Sequence, residues 1–386
     1  MKISFILGTR PEAVKLCPLI LAIRNHPEFK TDVCVTGQHR QMLDHTMAAF
    51  DIIPDTDLNL MIRNQTLGQL ASAAIAGIDE YLIRTQPELV IVQGDTTTVL
   101  AASLAAFYQH IPVGHVEAGL RTWNMHSPWP EEANRVLVSK LAAYHFAPTA
   151  SNRENLLKEN VPDKKIFVVG NTVIDALLLA MAKVKTSCPY IPGLPAELQP
   201  SLRGDTRRMV LITGHRRENF GQGLENICDA ILQLSKSFPE IQFVYPVHLN
   251  PNVKGPVESM LSAGDAGNIF LLEPQPYLSF VALMNQAYLI LSDSGGIQEE
   301  AASINKPVLV MRATTERPEA VASGAVKLVG TDRMQIVNSV SELLLNQQAY
   351  EAMRNIKNPY GDGQASERIV AVLQDIRQRK TQGKGI

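Results

Sequence analysis

The chain has 386 residues, of which 45% are hydrophobic and 19% charged, the profile of a globular protein with large cores and a length that calls for two domains. Its 36 basic and 38 acidic side chains give a formal net charge of -2, which offers no bulk attraction to a nucleic-acid backbone or an anionic membrane. Four cysteines, at positions 17, 34, 188 and 228, form no CxxC and no short metal-ligand spacing, so reduced thiols in the cytoplasm are expected and a disulfide scaffold is not.

The N-terminal run MKISFILGTRPEAVK is apolar for too short a stretch to be a signal peptide and reads as a buried strand over 2–7. A GTRPE turn and a helix over 13–24 follow, then a strand at 33–36 and a helix over 66–84. ELVIVQGD gives a strand ending at Gly94 and Asp95, and a helix over 97–109 leads into the next strand end, PVGHVEAG. YHFAP at 144–148 and IFVVG at 166–170 continue the series. Strands apolar on both faces, alternating with helices, predict a parallel sheet covered on both sides.

Between 187 and 207 the pattern breaks into a proline-rich surface segment with little apolar periodicity. A second series begins at RMVLITGHRRE and runs through IQFVYPVH, NIFLLEP, AYLILSDSGG, PVLVMR and KLVG, with helices over 223–237, 277–286 and 296–304. This is again a doubly wound sheet. A helix over 364–379 closes the pattern, and KTQGKGI is expected to fray. No segment approaches 18 consecutive apolar residues. The expected class is therefore α/β with two Rossmann-like, doubly wound domains and an active site in the cleft between them.

The polar clusters fall at predicted strand ends, where ligands bind in open parallel sheets. SDSGGIQEE places Ser294, Gly295 and Gly296 between a strand and a helix, where free amides and the positive end of the helix dipole suit a phosphate; a plain N-cap with a glycine turn is the alternative. Glu300, further along that helix, can accept from ribose hydroxyls or stand as a surface carboxylate. Arg10 and Lys15 after the first strand, with Arg312 and Arg317 after a later one, are candidates for a phosphate clamp. Asp95, Glu117, Glu131 and Glu132 are carboxylates at successive strand ends or a helix start. Taken together they offer an acid and a base, and taken singly they also fit caps and turns. His215 in GHRRE is a candidate proton carrier or phosphate donor, while His39, His115 and His248 are weaker candidates. Gln275, Tyr277 and Phe280 can frame a uracil ring or form a helix-start staple.

GTRPEAVK, GQHRQMLD, QGDTTT, GHVEAGLRT, SPWPEEANR, GHRREN, VYPVHLNPNV, DSGGIQEE and RATTERPEA occur in this order. Together they resemble the non-hydrolysing UDP-N-acetylglucosamine 2-epimerases of bacteria, from residue 1 to about 375. The likeness is to the enterobacterial type that supplies UDP-N-acetylmannosamine for surface polysaccharide such as enterobacterial common antigen. It implies a glycosyltransferase-B arrangement of residues 1–170, joined by the C-terminal helix 364–386, and a UDP-binding domain 171–363. It implies a homodimer, no added cofactor and allosteric activation by UDP-GlcNAc. Carried over residue by residue, it implies Asp95, Glu117, Glu131 and His215 as catalytic groups, with Arg10, Lys15 and Arg135 around the sugar and diphosphate. It also implies Gln275 and Phe280 beside the uracil, Ser294 and Gly295 at phosphate, Glu300 at ribose and Arg317 completing the clamp. The implied reaction is reversible C2 epimerisation of UDP-GlcNAc to UDP-ManNAc through loss of UDP, a 2-acetamidoglucal intermediate and re-addition. A glycosyltransferase of the same architecture, which needs an acceptor, is the competing expectation.

Overall fold

A computed structural model describes residues 1–382 except 38–39, 63–64, 201–207, 263–266, 316 and 357, and the side chains of 40–42 are likewise outside the description. His39, the end of the proline-rich segment and the last four residues of the expected fraying tail therefore lie outside the described residues. The chain forms two compact units, Met1–Leu178 with Tyr360–Ile386, and Leu179–Pro359.

The first unit runs β1 (Lys2–Leu7), α1 (Arg10–Arg24), β2 (Lys30–Val35), α2 (Arg40–Ala49), β3 (Thr56–Asp57), α3 (Leu67–Thr85) and β4 (Leu89–Gln93). It continues with α4 (Thr97–Tyr108), β5 (Val113–Val116), α5 (Glu131–Leu141), β6 (Tyr144–Ala147), α6 (Ala150–Lys158), β7 (Ile166–Val168) and the first half of α7 (Thr172–Thr186), whose residues from Leu179 on belong to the second unit. Its seven strands are parallel in the order β3-β2-β1-β4-β5-β6-β7. Ile3, Phe5, Ile6 and Leu7 on β1 and Val90, Ile91 and Val92 on β4 are all fully buried, as central strands covered on both faces require. Helices α3, α4 and α5 shield one side through Ile78, Ala102 and Val138.

The second unit runs β8 (Met209–Thr213), α8 (Gln222–Ser237), β9 (Gln242–Pro246), α9 (Pro251–Leu261), β10 (Ile269–Leu272), α10 (Tyr277–Gln286) and β11 (Leu289–Ser292). Then come α11 (Gly295–Ser303), β12 (Val308–Val310), α12 (Pro318–Ser323), β13 (Val326–Leu328), α13 (Arg333–Leu345) and α14 (Gln347–Arg354). Its six strands are parallel in the order β10-β9-β8-β11-β12-β13. Helices α8 and α13 bury Ile227, Ile231, Ile336 and Val340 against it.

Both sheets have the Rossmann strand order, in which the winding direction reverses beside the first strand. The reversal falls between β1 and β4 in one sheet and between β8 and β11 in the other. Ligand sites in such sheets lie outside the carboxyl ends of the strands at that reversal.

A last helix, α15 (Ala365–Thr381), returns to the first unit. It packs on α1 and buries Ile369, Val370, Leu373 and Ile376. Asp175 on α7 accepts the Ala365 and Ser366 amides at 3.2 and 2.7 Å, so the cap that α15 lacks from its own N-cap residue is supplied by a distant helix. Among the described residues no helix is long and apolar enough to cross a membrane.

Candidate active site

In the first unit the loops after β1, β4 and β5 meet at the sheet reversal. Gly8 follows β1 where no larger residue fits, because a Cβ there would collide with the Thr36 and Thr98 hydroxyls. Glu12, in the first turn of α1, turns back toward this loop. It accepts the Gly8 amide at 2.6 Å and the Thr9 hydroxyl at 2.9 Å, and the Thr96 side chain after β4 also bonds to it. Its carboxyl is buried, which pushes its pKa up to about 7, with these hydrogen bonds opposing the rise.

Around that loop, carboxylates and cations alternate. Lys15 Nζ reaches both oxygens of Glu117 at 2.6 Å, and the Gln93 amide also donates to Glu117. Glu117 holds a left-handed backbone, φ 65°, uncommon for a residue with a side chain and of the kind found at functional loops. Arg135 donates to Asp95 at 2.9 Å through Nε and to Glu132 at 2.9 Å through Nη1. Glu132 also accepts the amides of Thr122 and Trp123, each at 2.9 Å, and Asn134 donates to the Asp95 carbonyl at 2.7 Å. His115 is buried beneath, within 2.7 Å of the Gly94 carbonyl through Nε2. A carbonyl only accepts, so Nε2 carries the proton. Burial pushes the His115 pKa down to about 4, so the ring stays neutral and acts as a strut for the Gly94–Asp95 turn.

In the second unit the reversal is built on Asp293, just after β11. Its buried Oδ2 accepts the His215 and Arg216 amides at 2.9 Å and the Asn219 side chain at 3.1 Å, which fixes the loop after β8. The His215 ring is 40% exposed and stacks on His248, after β9, with centroids 5.5 Å apart. Helix α11 starts at Gly295 with no side chain capping it, so amides of its first turn are available to an anion. The Arg317 guanidinium lies over Gly295, where a Cβ would come within 2.8 Å of it, and is held by Glu299 at 2.8 Å. Arg312 pairs instead with Glu218 at 2.5 Å. Tyr277 donates to Glu300 at 3.0 Å and so ties the start of α10 to the second half of α11. The Gln275 amide donates to the Glu273 carbonyl at 2.8 Å, while its own buried Oε1 has no hydrogen-bond partner among the described residues.

The sequence candidates thus gather in two groups. Lys15, Asp95, Glu117 and Arg135 form one cluster, with Arg10 exposed on the first turn of α1 and Glu131 half-buried at the start of α5. His215, Ser294, Gly295 and Arg317 lie at the second reversal, Glu300 and Gln275 are close to it in the sequence, and Phe280 is half-buried on α10. The expected carboxylate group is interleaved with cations: Glu117 pairs with Lys15 and Asp95 with Arg135. Sequence reasoning did not find Glu12, Gln93 or Asp293. A Thr-x-x-Glu spacing at 9–12 and the aspartate of SDSGG were the available signals, and neither reveals a partner 78 residues away.

A family model described as UDP-N-acetylglucosamine 2-epimerase matches residues 21–374. UDP-N-acetylglucosamine 2-epimerase of Salmonella typhimurium is 54% identical over 377 residues, covering 98% of this chain and 99% of that protein. The enzyme of the same name from Escherichia coli K12 is also 54% identical over 377 residues, with the same coverage. The crystal structure of UDP-GlcNAc 2-epimerase from Neisseria meningitidis bound to UDP-GlcNAc superposes with a TM-score of 0.89 at 50% identity, covering 97% of this chain and 100% of that one. With its two Rossmann-ordered sheets and this match along nearly its whole length, the chain belongs to the UDP-N-acetylglucosamine 2-epimerase family.

Proposed function

We propose that the protein interconverts UDP-N-acetylglucosamine and UDP-N-acetylmannosamine, inverting C2 by elimination and re-addition of UDP. The observation that carries this reading is the pair of carboxylates at neighbouring strand ends, Asp95 after β4 and Glu117 after β5, each set against its own cation. No carbonyl stands beside C2 to acidify its proton, so direct abstraction is slow. If the C1–O bond breaks first, its electrons leave with UDP and C1 gains oxocarbenium character. The C2 proton then passes to a carboxylate and a C1=C2 double bond forms, giving 2-acetamidoglucal. Return of the UDP oxygen to C1, with a proton delivered to the opposite face of C2, gives the epimer. Asp95, Glu117 and Glu131 are the pool for the two proton transfers.

The second unit provides the leaving-group side. Ser294, Gly295 and the amides of α11 suit the diphosphate, and Arg317 over Gly295 adds charge that counts most as the C1–O bond breaks. Arg10, Lys15, Arg135 and His215 complete the set around sugar and phosphate. Gln275, with a buried acceptor to offer, and Phe280 suit a uracil, and Glu300 suits ribose hydroxyls. Incubation with UDP-GlcNAc alone, followed by NMR, tests the reading. UDP-ManNAc should appear, and in D₂O it should carry deuterium at C2. Turnover only with an added acceptor would replace the reading with a glycosyltransferase, and release of free sugar and UDP would make the protein a hydrolase.

Further parts of the proposal concern assembly and setting. An apolar groove of about 300 Å³ on the first unit is lined by Ile75, Leu100, Leu104 and Leu137 of α3, α4 and α5. Leu137 is 48% exposed, and such a face supports a homodimer. Sedimentation should give twice the chain mass, and Leu137→Asp should shift it toward the monomer. UDP-GlcNAc also serves as activator, so initial rates against its concentration should be sigmoidal. The four free cysteines support a cytoplasmic setting, with the product feeding surface polysaccharide.

A further inference from the structure

We propose that Asp293 is a positioning residue for His215, holding the imidazole with Nδ1 protonated so that Nε2 is the nitrogen that exchanges protons. Three observations carry it. First, Asp293 is 1% exposed and divides its two oxygens. Oδ2 takes three donors, the His215 and Arg216 amides and the Asn219 side chain. Oδ1 is also buried, has no hydrogen-bond partner among the described residues, and lies 3.4 Å from His215 Nδ1. A buried carboxylate oxygen without a donor is costly. A proton on Nδ1 removes that cost with a movement of a few tenths of an ångström, whereas a bare Nδ1 would set a lone pair against it.

Second, the ring is fixed on two sides. Asp293 holds its edge, and the His248 ring covers its face at 5.5 Å and 22°. His248 Nδ1 accepts the Asn250 amide at 3.1 Å, so that nitrogen is unprotonated and His248 is neutral. The stacked neighbour therefore adds no positive charge against an imidazolium at 215.

Third, Asp293 is a buried anion set against the ring. Arg216 follows His215 in the chain, and at the end of β12 Arg312 is paired with Glu218 at 2.5 Å. With Nδ1 occupied by Asp293, Nε2 accepts a proton in the neutral ring and donates one in the imidazolium. The same nitrogen can thus neutralise a departing phosphate oxygen and take the proton back on its return.

This inference rests on the epimerase reading for what His215 acts on, but its test does not need turnover. In protein labelled with ¹⁵N-histidine, with the His215 signals assigned through His215→Gln, nitrogen shifts report the neutral tautomer. The Nδ1–H form is expected in the unaltered protein, and the Nε2–H form there overturns the proposal. Asp293→Asn should invert the tautomer and lower the titration midpoint of His215 by about one unit or more. It should lower kcat about tenfold or more with a smaller change in KM, and add little in a His215→Gln background. A folded Asp293→Asn protein with the original tautomer and midpoint overturns the proposal. If that variant does not fold, the tautomer of the unaltered protein still decides. A normal tautomer result without formation of UDP-ManNAc would reject the epimerase reading and leave the Asp293–His215 assignment standing.

Discussion

Glu117 begins as an ion pair, with both its oxygens on Lys15. A carboxylate held this way is a weak base until the cation is drawn away, and under the proposed function the substrate's diphosphate is the anion that competes for it. Asp95→Asn and Glu117→Gln should each lower kcat by about 10²–10⁴-fold while calorimetric affinity for UDP stays within a few-fold. Equal losses in both quantities would show that these groups hold the nucleotide and do not transfer protons. Glu12 has a different signature, in stability. Its folded pKa of about 7 exceeds the ordinary value of 4.5, so between those values the folded state binds more protons than the unfolded one. The stability it confers is complete below about pH 4.5 and is lost as pH rises through 7, on the order of 3 kcal/mol in all. Glu12→Gln, whose carbonyl can still accept the Gly8 amide, should abolish that loss. Urea denaturation of both proteins across pH 4.5–8 measures it, and parallel curves would mean that Glu12 does not titrate in this range.

Among the elements, those legible in the sequence were the ones whose burial writes a pattern. β1, β4, β5, β8, β11 and β12 are apolar on both faces, and glycine, glutamate or aspartate follows all of them but β12. Their loops were therefore found along with them, and most of the candidate site came with the loops. β3 is two residues long and paired with β2 at the sheet edge, too short for any period to register. Helices α6 and α14 have few buried positions and little apolar signal. Helix α1 starts at Arg10, earlier than the predicted 13, because Pro11 suits a first helical turn. Side-chain pairing was the least legible layer. Glu132 takes Arg135 three residues along its own helix, while the half-buried Glu131 beside it is the residue the family resemblance named. The start of α11 gives a test at this scale. Gly295→Ala places a methyl in the space of the Arg317 guanidinium, a flexible group that can move aside. The fold should persist, while UDP should bind about tenfold more weakly through loss of a charge-assisted contact. Unchanged affinity by calorimetry would remove Arg317 and this helix start from the phosphate site.

Across the whole molecule, the division into units does not follow the chain. Residues 360–386 belong with 1–178, and α15 brings four fully buried aliphatic side chains to that unit. At roughly 1.5–3 kcal/mol each, their loss rivals the net stability of a typical domain. A chain ending at 359 should therefore lose the first unit's cooperative thermal transition while retaining the second's. Two intact transitions by calorimetry would show α15 to be dispensable. The same connectivity sets an order of assembly. The second unit is one continuous stretch, whereas the first waits for a helix made after the second unit. On the ribosome the half begun first is thus completed last, and until α15 emerges the nascent chain carries an exposed apolar face on α1, with the Asp175 carboxylate still lacking the two amides it will cap.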